Sequence, residues 1–229
     1  MDNGHSHPTQ QIKGLPAIQV SHDREQHPTA NAVFPSRSHR DWHGFTDANS
    51  KIVHNGVQIP DVTCFGERRG GYVAYLSIFN PQKQPNAALD AARLAGFNLV
   101  MAGPTPPAPP PGSHYIGPLW GEDKYEFLYH ADALLHPSSI ECAPITVLEA
   151  QSVGTPVIVS AFGGSHENML HKKTGFACQD TLDMADALLA VRDIDRDGCR
   201  EWVAANRNVD DMVAAYEGLL ADVANGARW

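Results

Sequence analysis

Two glutamates, eight positions apart, are the residues in this chain whose spacing first suggests chemistry. Glu141 and Glu149 lie in the stretch IECAPITVLEAQSVGTPVIVSAFGG (residues 140–164), and the residues between them are apolar or small. A carboxylate among apolar neighbours needs hydrogen-bond donors, and sugar hydroxyls would supply them. The alternative is that Glu141 is a solvated loop acid and Glu149 an exposed or ion-paired helix residue. Spacing alone favours this alternative.

The residues around the two glutamates predict how they are positioned. An apolar strand ends near Pro137, a loop carries Glu141, and a helix over about 144–153 begins near Pro144 and stops at Gly154. In a parallel sheet, such a helix begins at the carboxyl edge of the strands, where ligands bind. Its first backbone N–H groups form a site for phosphate. The two carboxylates would then bracket the sugars of a nucleotide sugar.

The rest of the chain predicts the sheet that holds this site. From Tyr72 onward, segments typical of strands and helices alternate, and most of the strands are apolar on both faces. That pattern is typical of a parallel sheet covered by helices on both sides. Gly96 marks the end of the helix NAALDAARLAG, and the proline run 104–111 fits only a turn or a short spacer. The predicted fold is α/β, a Rossmann-like parallel sheet with helices on both faces.

Composition argues against several other classes of protein. The 229 residues carry a net charge of −9, so binding of nucleic acid is not expected. The four cysteines are scattered without a Cys-x-x-Cys pair, and among the histidines only His39 and His43 have a weak metal spacing, so we expect no metal site. No long apolar run or leader pattern is present, which favours a cytoplasmic protein without a transmembrane segment.

A longer match changes the interpretation of the two glutamates. The segment ADALLHPSSIECAPITVLEAQSVGTPVIVSAFGGSHENMLHKKTGFAC (131–178) resembles the donor-binding signature of the retaining family 4 glycosyltransferases, which have GT-B architecture. The resemblance extends over about residues 50–220. The matching residues are Glu141, Glu149-Ala150, Gly154 to Val157, Gly163-Gly164, Glu167 and Thr174 to Phe176.

The resemblance implies a division into domains. Residues 70–229 would be the nucleotide-sugar-binding domain, and FGERRGG (65–71) would be part of a linker. Residues 1–64 would be a shortened N-terminal, acceptor-side segment, the remnant of a first Rossmann-like domain, with the last helix packing back on it. The acceptor surface would then come from a partner chain or from self-association. No cofactor is expected beyond the nucleotide-sugar substrate.

The resemblance also implies roles for residues that bind the nucleotide. Glu149 would bind the ribose, Lys83 would pair with the diphosphate, and the backbone at Ile145 and Thr146 would donate to phosphate. Ser77 would be a further donor-binding residue. A solvated loop lysine is the alternative for Lys83. The stretch from Tyr115 to Pro118, which includes Ile116, would flank the base, and its alternative is ordinary core.

Other implied roles concern the transferred sugar and the reacting centre. Glu141 would bind hydroxyls of the donor sugar, and Gly163 and Gly164 would let the backbone approach that sugar closely. His22 follows a strand-like segment and would face the acceptor, although a structural or exposed histidine is the more common case.

One departure from the family pattern puts catalysis in doubt. Where the family has Gly-Arg before the loop lysine, this chain has Ser77 and Ile78. Losing one charged clamp on the leaving diphosphate costs about 3 kcal/mol, or roughly a hundredfold in rate. Arg68 and Arg69 lie at the other end of the strand, roughly 20 Å away. Two hypotheses follow, a retaining glycosyltransferase and a nucleotide-sugar-binding module of low or no activity.

Overall fold

A small parallel sheet forms the first part of the protein. The structure, a computed structural model, describes residues 17–22, 28 and 30–229. The small sheet has the order β1-β2-β3, and a short helix, α1, joins β2 to β3. Ser36 caps this helix, because its hydroxyl accepts a hydrogen bond from the backbone N–H of His39. The elements are β1 (Gln19–Val20), β2 (Ala32–Phe34), α1 (Arg37–Trp42) and β3 (Ser50–Ile52).

A six-stranded parallel sheet forms the rest of the protein. Its strand order is β6-β5-β4-β7-β8-β9, with the reversal of winding between β4 and β7. The predicted α/β fold with helices on both faces is confirmed. The strands are β4 (Val73–Leu76), β5 (Leu99–Ala102), β6 (His114–Tyr115), β7 (Ala133–His136), β8 (Val157–Ser160) and β9 (Gly175–Cys178). The helices are α2 (Pro85–Ala95), α3 (Gly121–His130), α4 (Ile145–Ser152), α5 (Thr181–Ala190), α6 (Arg196–Asn206) and α7 (Val209–Ala224).

Alternate residues of the strands build two separate hydrophobic layers. Val73 and Tyr75 of β4 pack on the face covered by α2 and α5. Ala74 and Leu76 point to the other face, which α3 and α4 cover. Burying a large apolar side chain contributes about 1.5–3 kcal/mol, so both faces stabilise the sheet. This two-sided burial explains why the strand segments read as continuous apolar runs.

The chain returns to the small sheet through its last residues. Val57 pairs with Asn208, and a Cβ on Gly56 would meet the Asn208 carbonyl oxygen at 2.5 Å, so only glycine fits there. At the end of the chain, the Trp229 ring N–H donates to the Ala32 carbonyl at 3.0 Å, and the Trp229 carbonyl accepts from Asn31 at 3.1 Å. Within the described ranges, no helix has the length and apolar character needed to cross a bilayer.

Three local details refine the sequence-based description. The strand-like segment before His22 forms only a two-residue strand, Gln19–Val20, among the described residues. After β8 the chain makes a single 3-10 turn, His166–Asn168. Helix α4 begins at Ile145, because Pro144 has an extended backbone and lies at the cap position.

Candidate functional site

A cavity of about 370 Å³ lies at the carboxyl edge of the larger sheet. Parallel α/β sheets bind their ligands at this edge. Side chains from the ends of β4 and β6, from α3 and from the first turns of α4 line the cavity. The polar residues among them are Ser77, Lys83, Lys124, Thr146 and Glu149, and the apolar ones include Ile78, Pro104, Pro118, Leu119 and Trp120.

Glu141 lies in the loop after β7 and is held by two cationic or polar partners. Its Oε1 atom lies 2.5 Å from the Lys83 ammonium and 2.9 Å from Nε2 of His136, and 9% of its side chain is exposed. Burial opposes ionisation of this carboxyl, but hydrogen bonding and charge attraction from His136 and Lys83 outweigh it and lower its pKa to about 2. Glu141 is therefore ionised at neutral pH and acts as a hydrogen-bond acceptor.

Lys83 is positioned by a 3-10 turn that follows β4. The Asn80 side chain caps the turn, accepting from the Lys83 backbone N–H at 2.9 Å. From the buried end of β4, the Tyr75 hydroxyl lies 3.0 Å from the Ile78 carbonyl and 3.3 Å from the Lys83 carbonyl. The β4–α2 loop is thus fixed at both ends, and the Lys83 side chain is directed to the boundary between Glu141 and the cavity.

Glu149 lies one turn inside α4 and is also paired with a lysine. Its Oε1 atom lies 2.5 Å from the ammonium of Lys124, on the facing helix α3, and 11% of its side chain is exposed. Lys83 lines the same cavity as Glu149 while it bonds to Glu141. Glu149 therefore lines the cavity itself, whereas Glu141 is connected to it through Lys83, and each glutamate is paired with a lysine.

The start of α4 offers unpaired backbone donors at this cleft. Pro144 precedes the helix, and no side chain among the described residues caps its first turn. Thr146 lines the cavity, and Ile145 is largely exposed. The first N–H groups of a helix have no partner within it, and they carry a partial positive charge. An anion in the cavity would find these groups at its edge.

Gly163 and Gly164 have a packing role that the sequence prediction did not include. A Cβ on Gly164 would lie 1.8 Å from the Cys142 carbonyl oxygen, and one on Gly163 would lie 2.8 Å from the Glu141 carbonyl oxygen. The Gly164 N–H also donates to the Glu141 carbonyl at 2.8 Å. The two glycines therefore hold the loop that carries Glu141.

Five of the predicted site residues line the cavity, and Glu141, Ile145, Gly163, Gly164, Ile116 and His22 are not part of its lining. Ser77, Lys83, Thr146, Glu149 and Pro118 line the cavity, as described above. The cavity lining does not include Ile116, whose side chain is exposed just before Pro118. It does not include His22 either, which follows β1 on the small sheet and is exposed.

The histidines near His22 form a small cluster on α1. The Ser21 hydroxyl lies 3.2 Å from Nε2 of the buried His39 and 3.5 Å from Nε2 of His43. In the part of the chain that the structure describes, no three His, Cys, Asp or Glu side chains come together as a metal site.

Among the described residues, Ile78 has no arginine beside it that could replace the missing one of the family pattern. Ile78 lines the cavity as an apolar residue, and neither nearby arginine reaches it. Arg68 donates to the main-chain carbonyls of Tyr129 and Val153, and Arg69 pairs with Glu126 at 2.9 Å. These contacts lie at the amino ends of the strands.

Sequence reasoning missed several residues at the site, among them Lys124, Trp120 and His136. Lys124 and Trp120 line the cavity, and His136 bonds to Glu141. The position of His136, at the end of β7 and five residues before Glu141, is a signal that sequence reasoning could have used. Lys124 gave no such signal, since its contact with Glu149 depends on how α3 packs against α4.

This fold and this site define a class of protein. A doubly wound parallel sheet carries, at its carboxyl edge, a helix start and two buried carboxylates paired with lysines. The sequence profile described as "Glycosyl transferases group 1" matches residues 69–209. The chain belongs to this family.

Individual relatives agree with that assignment and are much longer than the matched segments. The chain is 33% identical over 83 residues to glycogen synthase of Mycobacterium tuberculosis (strain CDC 1551 / Oshkosh). This match covers 35% of this chain and 20% of the relative. It is 32% identical over 122 residues to D-inositol 3-phosphate glycosyltransferase of Geodermatophilus obscurus, and this match covers 50% of this chain and 27% of the relative. The matches thus span between about a fifth and a third of the curated relatives.

Solved structures show the same fold at low identity. AviGT4, a glycosyltransferase involved in avilamycin A biosynthesis, superposes with a TM-score of 0.82 at 20% identity, covering 97% of this chain and 72% of that one. Anabaena HepE in complex with UDP-glucose superposes with a TM-score of 0.68 at 14% identity, and the match covers 83% of this chain and 63% of HepE. These similarities place the chain among proteins of the GT-B fold.

Proposed function

We propose that this protein transfers a sugar from a nucleotide-sugar donor to an acceptor, with retention of configuration, as family 4 glycosyltransferases do. The observation that carries the proposal is the placement of Glu141 and Glu149. Both are buried carboxylates paired with a lysine beside a helix start; Glu149 lines the cleft, and Glu141 is bonded to Lys83, which lines it. Buried carboxylates need donors, and the hydroxyls on either side of a diphosphate supply them.

Each end of the donor has a matching group in the cleft. The ribose hydroxyls donate to Glu149, the diphosphate lies against the first N–H groups of α4 and the Lys83 ammonium, and the transferred sugar donates to Glu141. The low pKa of Glu141 supports this assignment, because an ionised carboxylate accepts hydrogen bonds from hydroxyls and has no proton to give. The solved complex of HepE with UDP-glucose makes a nucleotide sugar a reasonable first ligand to test.

The chemistry rests on positioning and on charge stabilisation. The bond between the anomeric carbon and the diphosphate oxygen breaks, and an acceptor oxygen bonds to the same carbon on the same face. Negative charge grows on the departing diphosphate, next to Lys83 and the start of α4. We propose that this reaction requires no metal ion and no cofactor beyond the donor.

The second candidate function is a nucleotide-sugar-binding module with little or no turnover. Ile78 favours it, because an apolar side chain lines the cavity where the family pattern has an arginine. The paired glutamates and Lys83 favour the enzyme. The two functions differ in turnover and agree in binding.

A two-stage experiment separates them. Thermal shift against UDP, GDP, ADP and TDP and their glucose conjugates first identifies a ligand. Donor hydrolysis and transfer to glycan, lipid and small-molecule acceptors are then measured with EDTA present, and NMR reports the configuration of the product. Turnover with a retained anomer supports the enzyme. Stabilisation without turnover supports the module, and no stabilisation by any ligand contradicts both.

Single substitutions test the division of roles. Glu149→Ala should weaken binding of every nucleotide that shares the ribose, by about tenfold. Glu141→Ala should weaken the nucleotide sugar by a similar factor and leave the bare nucleotide nearly unchanged. Glu217→Ala, on an exposed part of α7, is the control. If Glu141→Ala and Glu149→Ala affect both ligands alike, the assignment is wrong.

Two further expectations from the sequence stay predictions. A second copy or a partner chain would contribute to the acceptor side, with His22 near the reacting centre, and light scattering with size-exclusion chromatography tests the first of these. A cytoplasmic location is the other, and fractionation of the source cells tests it.

A further inference from the structure

The charged residues at the cavity have no net charge together, and a bound diphosphate would make the group negative. Lys83, Lys124 and Glu149 line the cavity, and Glu141 is bonded to Lys83. Two ammonium groups thus face two carboxylates. A diphosphate adds negative charge to this set, and Ile78 on the β4 side provides none to offset it. Without Lys124 the set would already be negative before a ligand enters.

Lys124 has hydrogen-bonding capacity beyond its contact with Glu149. It lies in the first turns of α3, its Nζ atom is 2.5 Å from Oε1 of Glu149, and it lies 5.0 Å from the centre of the Tyr125 ring. An ammonium group has three donors and no acceptor. One donor on Glu149 leaves two that can be offered to a ligand in the cavity, which Lys124 itself lines.

Glu149 has matching capacity to accept. A carboxylate has about four acceptor sites on its two oxygens, so Glu149 can bind Lys124 and ribose hydroxyls together. The ion pair therefore need not break when a nucleotide binds. Lys124 thus bonds to Glu149 and also lines the cavity, where a ligand could reach it.

Resting on the function proposed above, we infer that Lys124 binds the diphosphate of the donor directly while it holds Glu149 towards the ribose. In this arrangement Lys124, on α3, supplies positive charge to the cavity. The β4 side of the cavity has the apolar Ile78 and supplies no charge at that position. The alternative is that Lys124 acts only through Glu149, as a positioning residue without a contact to phosphate.

The test compares a nucleoside diphosphate with its own nucleoside. The diphosphate that stabilises the wild type most, among UDP, GDP, ADP and TDP, is measured by calorimetry, and its nucleoside by ligand-observed NMR. Lys124→Gln should lower affinity for the diphosphate by about tenfold or more, as expected for loss of a charge-assisted hydrogen bond, and affinity for the nucleoside by less than about threefold. Lys124→Arg, which keeps the charge, should restore most of the loss.

Controls separate this inference from folding and from the proposed function. Lys173→Gln removes an exposed lysine and should change neither affinity, and Lys124→Met keeps the aliphatic stem should Lys124→Gln fold poorly. Equal losses for the diphosphate and the nucleoside, or no loss for either, overturn the inference and leave the proposed function standing. If no diphosphate binds the wild type, both fail.

Discussion

Apart from the exposed Arg69–Glu126 pair, the positive charges at the two edges of the six-stranded sheet have different kinds of partner. At the amino edge, Arg68 and Arg196 bond to main-chain carbonyl oxygens. Arg196 reaches the carbonyls of Tyr129 and Ala131, at 3.2 and 2.9 Å, and the Thr155 hydroxyl at 2.8 Å. Burial and the charge of Arg68 lower the pKa of Arg196 to about 10, which still leaves it charged at neutral pH.

At the carboxyl edge, the cations are lysines and their partners are side-chain carboxylates. Lys83 pairs with Glu141 and Lys124 with Glu149, each at 2.5 Å and each beside the cavity. The donors of Arg68 and Arg196 are used by main-chain carbonyls of neighbouring elements, so these arginines belong to the framework. A lysine-carboxylate pair beside a cavity can share its donors and acceptors with a ligand. The comparison thus separates charges that hold the fold from charges that we propose bind the donor.

Removing a charge at the amino edge should have the largest effect on stability. Arg196→Met removes hydrogen bonds from a charged group to buried carbonyls, and should lower the free energy of unfolding by at least about 3 kcal/mol in urea denaturation. Affinity for the nucleoside diphosphate should change by less than about twofold, because Arg196 lies at the edge of the sheet opposite the cavity. That factor corresponds to well under about 1 kcal/mol of binding free energy.

The control for this prediction is Arg93→Met, whose arginine lies on the exposed face of α2 with a 3.9 Å contact to Asp90. It should change stability by less than about 0.5 kcal/mol. Should Arg196→Met prevent folding, Arg196→Lys serves in its place. A large loss of affinity in a folded Arg196 variant would contradict the separation of the two edges.

A glycine at the carboxyl edge should affect stability and binding together. In Gly164→Ala, the new Cβ would meet the Cys142 carbonyl oxygen at 1.8 Å, so the loop that carries Glu141 must move. We expect a loss of about 2–3 kcal/mol in unfolding free energy, as for other overpacked sites, and a measurable loss of affinity for a nucleotide sugar. Gly218→Ala on α7, where the Cβ meets open space, should instead stabilise the protein by up to about 1 kcal/mol. Unchanged affinity in Gly164→Ala would show that the loop does not position Glu141.

The elements of the fold were predictable because local signals mark their ends. Helix α2 stops where predicted, at Gly96, which adopts a φ of 74° that favours glycine. Helix α7 begins directly after Asn208, whose side chain accepts a hydrogen bond from the Asp210 backbone N–H. The short first strand was harder, since two residues carry too little pattern to define its length.

The site was predictable only as far as chain spacing and resemblance reach. Glu141 and Glu149 are near in sequence, and the strand-loop-helix pattern brings them to one edge. Lys83 and Glu141 are 58 positions apart and meet because β4 and β7 are neighbours. Lys124 meets Glu149 through helix packing, 25 positions away. Such pairs depend on tertiary neighbours, which the spacing of one chain does not determine.

The pH dependence of stability should show how strongly Glu141 is held. Its pKa is lowered to about 2 in the folded protein, against 4.5 for an unperturbed glutamate. A lowered pKa means that the contribution is complete above the unfolded value and is lost as the pH falls from about 4.5 towards 2. The wild type should therefore exceed Glu141→Gln in unfolding free energy by about 2 kcal/mol at pH 7, and by much less at pH 3.

Chemical denaturation at several pH values measures this difference. Glu201→Gln, exposed on α6, controls for the loss of one negative charge. A constant difference between wild type and Glu141→Gln from pH 7 to pH 3 would mean that His136 and Lys83 do not stabilise the ionised carboxylate.

The smallest expected effect compares one tyrosine hydroxyl at each edge. The Tyr75 hydroxyl bonds to the Ile78 carbonyl at 3.0 Å in the loop that carries Lys83, whereas the Tyr129 hydroxyl bonds to the Gly66 carbonyl at 3.0 Å near the amino edge. Tyr75→Phe should cost about 1 kcal/mol of unfolding free energy, and Tyr129→Phe less, because its hydrogen bond is exposed to water. Only Tyr75→Phe should also weaken binding of the diphosphate in calorimetry, since only its loop carries a cation to the cavity. Weaker binding in Tyr129→Phe, or unchanged binding in Tyr75→Phe, would contradict the assignment of framework and binding roles to the two edges.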